Sequence, residues 1–162
     1  MKHTHGIKEL TMASAIAALY VVLTFISAAM GLSSGVIQLR LSEVLCILPI
    51  FTPTAIPGLF IGCLISNLLT GAVLWDVIFG SLATLIGALG TYLLRKNKFI
   101  AAAMPVISNA VIVPFVLKYA YGSPDSIPFM ILTVTLGEIA GAYILGLLFH
   151  NIIQKRCMHI FK

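Results

Sequence analysis

Three acidic side chains of this 162-residue sequence stand in or against long apolar runs. They are Glu43, Asp76 and Glu138, whereas Glu9 and Asp125 lie in polar segments. An ionisable group inside a bilayer costs several kcal/mol unless it is paired or hydrated. Acids at such positions therefore indicate either an internal partner or a site that binds a polar or charged molecule.

Four further polar side chains share these apolar surroundings and could complete such a site. They are Gln38, Arg40, Asn67 and Asn109. Carboxylates accept hydrogen bonds while amides and a guanidinium donate them, so together these groups can read the edge of a small polar ligand. Trp75, the only tryptophan, stands beside Asp76 and either belongs to an interfacial aromatic belt or stacks on a flat ring.

Each polar residue also has an explanation without a ligand. Arg40 and Glu43 are three residues apart and could form an ion pair. Asp76 could lie at the water interface near a helix N-terminus, where negative charge is favoured. Glu138 is either protonated, paired with a distant group or in contact with a ligand. The two asparagines could join helices by hydrogen bonds.

The composition fixes the class of protein that must position these residues. Hydrophobic residues make up 60% of the chain and charged residues 9%, against roughly 45–50% and about 25% in soluble domains. So few charges cannot cover the surface of a soluble protein. This excludes most soluble enzymes and nucleic-acid-binding proteins, despite the net charge of +5, and predicts an all-α integral membrane bundle in the lipid bilayer.

Six spans in a single membrane domain account for the apolar runs. A helix needs about 20 apolar residues to cross the hydrocarbon, and the stretch 36–69 is too long for one helix. Pro49, Pro53 and Pro57 interrupt it, which predicts two short helices with a turn near 52–54. The predicted spans are residues 10–30, 39–51, 55–69, 73–94, 99–118 and 127–151.

The basic residues predict the orientation of these spans. With six spans and the N-terminus inside, eight of the ten Lys and Arg residues are cytoplasmic, and only Arg40 and Lys118 are outside. The eight are Lys2, Lys8, Arg95, Lys96, Lys98, Lys155, Arg156 and Lys162. The positive-inside rule therefore predicts a multi-pass protein of the cell membrane with both termini cytoplasmic. In that topology the polar residues lie on the outer side or at mid-depth, as in an outward-facing pocket.

Small residues one helical turn apart predict close helix packing. Ala13 and Ala17 form such a pair in the first span, and Gly58 with Gly62 and the glycines at 137 and 141 form two others. Such pairs let helix backbones approach closely. The contact lies either within this chain or with another membrane protein.

Common catalytic motifs are missing from the sequence. It contains no G-x-x-x-x-G-K-[ST] phosphate loop, no H-E-x-x-H and no G-x-S-x-G. The cysteine and histidine spacings suggest no metal site. We therefore expect no catalytic residue, no metal and no cofactor in this chain, and a partner if transport is driven by ATP.

The sequence resembles the queuosine precursor transporter (QueT-like) family over nearly its whole length. Several segments carry the resemblance: Ile37-Gln38-Leu39-Arg40-Leu41-Ser42-Glu43, Leu48-Pro49, residues 51–63, Asn67, residues 76–85, residues 109–112 and Leu136-Gly137-Glu138. The resemblance implies a six-helix S component of an energy-coupling factor (ECF) transporter with an outward-facing substrate pocket.

The same resemblance implies partners, cargo and roles for residues. The partners would be a transmembrane coupling protein and two cytosolic ATPases that use ATP, with Ala13 and Ala17 at the coupling interface. The cargo would be a 7-deazaguanine base, a nucleobase-like small molecule. The ligand-binding residues would be Gln38, Arg40, Glu43, Asn67, Trp75, Asp76, Asn109 and Glu138.

Two alternatives stay open at this stage. One keeps the ECF class but replaces the cargo with another vitamin or a pyrimidine precursor. The other is a stand-alone small-molecule channel or carrier that needs no partner.

Overall fold

The computed structural model describes residues 2–32 and 38–156, with side chains from Gly6 onward. Of the basic residues counted above, Lys162 and the side chain of Lys2 lie outside this description. The described chain is helical: α1 (Lys2–Ala29), a 3₁₀ helix (Leu41–Ile50), α2 (Ala55–Leu69), α3 (Leu74–Leu93), α4 (Lys98–Tyr119), α5 (Ile127–Glu138), a π-helical segment (Ile139–Leu145) and α6 (Gly146–Arg156). The predicted all-α membrane bundle is thereby confirmed.

Four of these helical stretches are long and apolar enough to cross a membrane. They are Gly6–Ala29, Leu74–Leu93, Lys98–Tyr119 and Ile127–Arg156, and a helix of about 20 residues spans about 30 Å. The last stretch joins α5, the π segment and α6 into one continuous helix. The outward faces carry exposed apolar side chains such as Leu19, Ile107 and Leu132, as expected for surfaces that contact lipid.

The 3₁₀ helix Leu41–Ile50 is the centre of the bundle. It contacts α1, α2, α3, α4, the π segment and α6, and most of its side chains are buried. The sequence predicted an ordinary short helix over residues 39–51. A 3₁₀ helix rises about 2.0 Å per residue against 1.5 Å in an α-helix, so the tighter winding lets ten residues reach farther across the bundle.

Glycines bring α2 against α1. A Cβ on Gly58 would stand 2.7 Å from the Ala13 carbonyl oxygen, and one on Gly62 would stand 2.8 Å from the Tyr20 Cβ. Ala17 is buried in the same contact. The two helices run in the same direction, and their small residues are used for packing within the chain.

Side-chain hydrogen bonds satisfy the backbone of the α3–α4 hairpin at two places, the turn and the first proline of α4. The Asn97 side chain accepts hydrogen bonds from the backbone N–H groups of Phe99 and Ile100 and so caps α4. Pro105 has no N–H to give to the Ala101 carbonyl, and the Thr91 hydroxyl donates to that oxygen at 3.0 Å. The helix therefore keeps its buried backbone satisfied despite the proline.

The bundle has a basic end and a polar end. The basic end is formed by the start of α1, the turn between α3 and α4, and the end of α6, where Lys98 Nζ donates to Asn151 Oδ1 at 3.1 Å. The polar end holds the start of the 3₁₀ helix and the turns that follow α2 and α4. Glu43, Asp76 and Glu138 lie in the half of the bundle away from the basic end.

We predict that Gly58→Ala destabilises the protein by about 1–3 kcal/mol, because the added methyl group overlaps the α1 backbone. Gly6→Ala is the matched control, since a Cβ at Gly6 meets nothing within 4 Å. Unfolding of both variants in detergent, followed by the fluorescence of Trp75, measures the difference. Equal stability of the two variants would contradict the close packing of α1 and α2.

Candidate ligand-binding site

Most of the polar residues singled out in the sequence meet around one small cavity. Its volume is about 40 Å³. The lining residues are Gln38, Arg40, Glu43, Asp76, Gly80, Thr84, Asn109, Val113, Val134 and Glu138. Six of the eight predicted ligand-binding residues are among them, and they come from separate segments of the chain.

Two glycines of the last long helix bring Gln38 and Arg40 to the cavity. A Cβ on Gly137 would overlap the Gln38 carbonyl oxygen, and one on Gly141 would stand 3.2 Å from the Arg40 carbonyl oxygen. Only glycine lets the backbone of residues 38–40 lie this close to the helix. The segment therefore runs directly beside Glu138.

Glu43 is held on both carboxylate oxygens by groups of this chain. The Tyr20 hydroxyl donates to Oε1, and the Cys46 thiol donates to Oε2 at 3.1 Å. Glu43 is buried on the first turn of the 3₁₀ helix. These contacts orient the carboxylate and use much of its capacity to accept hydrogen bonds.

Asn67 lies next to the cavity and forms hydrogen bonds with two residues of its lining. Its Oδ1 accepts a hydrogen bond from Arg40 Nη1 at 3.3 Å, and its Nδ2 donates to the Asp76 carbonyl oxygen at 3.5 Å. Asn67 is nearly fully buried and is not a lining residue. It thus connects the guanidinium of Arg40 to the first turn of α3.

Asp76 lies on the first turn of α3 at the rim of the cavity. The Tyr121 hydroxyl, from the turn after α4, donates to Asp76 Oδ2 at 2.8 Å. One turn further, Gly80 leaves the space beside this carboxylate open, because a Cβ there would stand 3.0 Å from Asp76 Oδ1. Thr84 continues the same face of α3 into the cavity.

Glu138 is the carboxyl group with spare accepting capacity. Asn109 lines the same cavity, and Glu138 Oε2 is buried and has no hydrogen-bond partner among the described residues. A buried acceptor without a partner costs about 1–3 kcal/mol. Glu138 also directly precedes the π segment, a local widening that often occurs at functional sites.

The cavity lining contains more acidic than basic side chains. Three carboxyl groups face one guanidinium. The lining offers several hydrogen-bond acceptors and one charged donor, Arg40. Its side-chain amides can either donate or accept hydrogen bonds. It is suited to a ligand that donates several hydrogen bonds or carries a positive charge.

The cavity is too small for a ring system in this conformation. About 40 Å³ holds a few water molecules, whereas small-molecule pockets measure roughly 300–1,000 Å³. Any ligand with a ring system would therefore require the lining segments to move apart.

Trp75 lies away from the polar cavity. It is 57% exposed and stacks on Phe79 with ring centroids 5.9 Å apart. Both rings line a separate apolar cavity of about 430 Å³ between α3 and α4. Neighbouring residues of a helix point about 100° apart, so Asp76 faces the polar cavity while Trp75 faces outward. The lining residues described above include no aromatic ring.

Ala13 and Ala17 lie on the side of α1 that packs against Gly58 and Gly62. The exposed small residues of α1 are their neighbours, among them Ser14 and Ala18. A coupling interface at α1 would therefore use the face that holds these neighbours.

Sequence reasoning missed several residues that line the cavity or contact its acids: Tyr20, Cys46, Gly80, Thr84, Val113, Tyr121 and Val134. A signal was present for two of them, since Gly80 and Thr84 follow Asp76 at intervals of four residues and so share its helix face. Tyr20 and Tyr121 reach the acids from distant parts of the chain, and no local pattern marks them. No cluster of three or more His, Cys, Asp and Glu side chains suited to a metal ion occurs in the described ranges.

The contact of Tyr121 with Asp76 predicts a measurable pKa. Burial and the hydrogen bond to Asp76 raise the pKa of Tyr121 from 10.0 to about 12. The folded protein therefore favours the neutral phenol. The contribution of Tyr121 to folding stability is complete below pH 10 and is lost as the pH rises through about 12. We predict that Asp76→Asn shifts this pKa back toward its ordinary value.

The measurement is a tyrosinate absorbance titration in detergent, with the Tyr121→Phe protein subtracted to isolate this one phenol. A difference titration with the same midpoint in the wild type and in Asp76→Asn would contradict the contact.

Comparison with known proteins gives the same assignment as the sequence motifs. The QueT transporter family matches residues 10–155. The queuosine precursor transporter QueT of Lactococcus lactis subsp. cremoris (strain MG1363) is 42% identical over 85 residues, which are 51% of this chain and 49% of that relative. The alignment thus spans about half the length of the relative. No solved structure matches. Because the family match covers nearly all of the helical bundle, this chain belongs to the QueT transporter family.

Proposed function

We propose that this protein is the substrate-binding S component of an ECF transporter and takes up a 7-deazaguanine precursor of queuosine. Membership of the QueT transporter family supports the transport role, and the similarity to the queuosine precursor transporter of Lactococcus lactis supports the cargo. The observation that carries the proposal is the buried, unpartnered Oε2 of Glu138 at the polar cavity.

Glu138 is suited to read the amino-pyrimidinone edge of the base. That edge presents a ring N–H and an amino group side by side, and a carboxylate accepts from both. Glu43 already accepts from Tyr20 and Cys46, so Glu138 is the better candidate of the two. A base that lacks this pair of donors would leave the buried carboxylate unpaired, which is the usual source of strong discrimination.

The remaining polar groups fit the other features of the base. Arg40 or the amide of Gln38 or Asn109 can donate to the ring carbonyl. Asp76, at the rim beside Gly80, is placed to pair with an aminomethyl cation. The excess of carboxyl groups over the one guanidinium favours this charged precursor over a neutral one. Valines at positions 113 and 134 supply apolar surface for the ring faces in place of an aromatic stack.

The energy for uptake would come from partner subunits. The sequence contains no phosphate loop, so ATP would be hydrolysed by two cytosolic ATPases bound to a transmembrane coupling protein. Both termini would be cytoplasmic, and binding would occur at the polar end of the bundle, facing outside. The protein would then reorient in the membrane to release the base.

The first test is ligand binding by the purified protein in detergent, measured by calorimetry. We expect binding of the aminomethyl 7-deazaguanine base and a loss of at least about tenfold in affinity for Glu138→Gln, because a hydrogen bond to a charged group contributes about 1.5–3 kcal/mol. Asp125→Asn is the matched control, since Asp125 is an acid in the outer turn that is not a lining residue.

Three results would change the proposal. Wild-type affinity in Glu138→Gln would exclude carboxylate recognition by that residue. Binding of another vitamin or of a pyrimidine in place of the base would keep the S-component role and replace the cargo. Uptake into liposomes by this chain alone would favour a self-sufficient carrier.

The second test concerns the coupling protein. We predict that Ala18→Trp, on the exposed face of α1, prevents isolation of the complex with the coupling protein while ligand binding is retained. Trp at Ala17 would instead disturb the packing against Gly62. The matched control is Ile107→Trp, because Ile107 is also exposed but lies on α4. Intact complexes with Ala18→Trp would exclude this face of α1 as the interface.

A further inference from the structure

A second cavity lies at the basic end of the bundle, far from the site described above. Its volume is about 380 Å³. The lining residues are Ile50, Phe51, Arg95, Lys96, Lys98, His150 and Gln154. They come from the end of the 3₁₀ helix, the turn between α3 and α4, and α6. No acidic side chain is among them, so the cavity concentrates positive charge.

One lining residue of this cavity, His150, has a buried ring nitrogen without a partner among the described residues. His150 is 6% exposed, and its Nδ1 has no hydrogen-bond partner among the described residues. The ring is fixed by stacking on Phe51, with centroids 4.9 Å apart. A buried ring nitrogen beside three basic side chains is suited to contact an oxyanion.

An apolar groove adjoins the basic cavity on the neighbouring face of α6. It is lined by Leu148, Asn151, Ile152, Lys155 and Arg156. The side chains of Leu148 and Ile152 are more than half exposed. The bond from Lys98 to Asn151 joins the two depressions. A ligand that fills both has an anionic head and an apolar tail, which describes a phospholipid and not a free phosphate ion.

We propose that this cavity binds the phosphate of an anionic phospholipid, such as phosphatidylglycerol or cardiolipin, with an acyl chain lying along Leu148 and Ile152. Basic pockets between membrane helices on the cytoplasmic side are suited to such head groups. The bound lipid would fix the turn between α3 and α4 against α6. The proposal does not depend on which substrate the polar cavity binds.

The test is native mass spectrometry of the protein in mixed micelles that contain cardiolipin and phosphatidylcholine. We expect the wild type to retain cardiolipin selectively, and Arg95→Gln/Lys96→Gln to lose about fivefold in retention per basic side chain removed, the ratio that corresponds to about 1 kcal/mol each. The matched control is Lys8→Gln/Lys118→Gln, which removes the same charge from residues that do not line the cavity.

A second variant separates the cavity from general surface charge. His150→Phe keeps a ring to stack on Phe51 but removes the buried nitrogens, and we expect weaker cardiolipin retention with an unchanged unfolding temperature in lipid-free detergent. Equal losses in the two double variants, or full retention in His150→Phe, would overturn the proposal. Displacement of the lipid by millimolar inorganic phosphate would replace it with a phosphate-ion site. If Arg95→Gln/Lys96→Gln retains cardiolipin as the wild type does but no longer forms a complex with the coupling protein, the cavity would be assigned to that partner.

Discussion

The candidate site depends on the close approach of two pieces of backbone. The segment at Gln38 and Arg40 lies against Gly137 and Gly141, where any side chain larger than hydrogen would push it away. This contact places a guanidinium and an amide beside Glu138, within a bundle whose outer surface is apolar. Without it, Arg40 and Gln38 would lie farther from Glu138, whose buried Oε2 has no partner among the described residues. The position of a 3₁₀ helix at the centre of the molecule follows from the same constraint, because that helix begins directly after Arg40.

Each acid of the site is held differently, and the differences suggest different roles. Glu43 is fixed by Tyr20 and Cys46 inside the bundle, which makes it a rigid part of the wall. Asp76 is held at the rim by Tyr121 from a surface turn, so it can change partner when that turn moves. Glu138 keeps one oxygen free. The three acids of one cavity therefore differ in how much of their capacity to accept hydrogen bonds is already used within the chain.

The sequence alone was enough for the fold class and for most of the polar cluster, and the physical reason is the same for both. Hydrocarbon tolerates few polar side chains, so Arg40, Asp76 and Glu138 stand out against their neighbours and had to face inward. The 3₁₀ winding of residues 41–50 could not be predicted from the sequence. Proline spacing indicates where a helix is interrupted but not whether the helix on either side is α or 3₁₀. Tyr20 and Tyr121 were not identified because tyrosine occurs at many depths of a membrane protein. Only the tertiary structure shows which acid each of them contacts. Trp75 was grouped with the ligand-binding residues through its neighbour Asp76, although adjacent helical residues point in different directions.

The volume of the polar cavity has a consequence for the exchange of any ligand that contains rings. A space of about 40 Å³ among the described residues does not hold a ring system, so entry and departure of such a ligand would each require the lining segments to separate. The residence time of the ligand would then be set by how often the bundle opens, and not by diffusion through a permanent mouth.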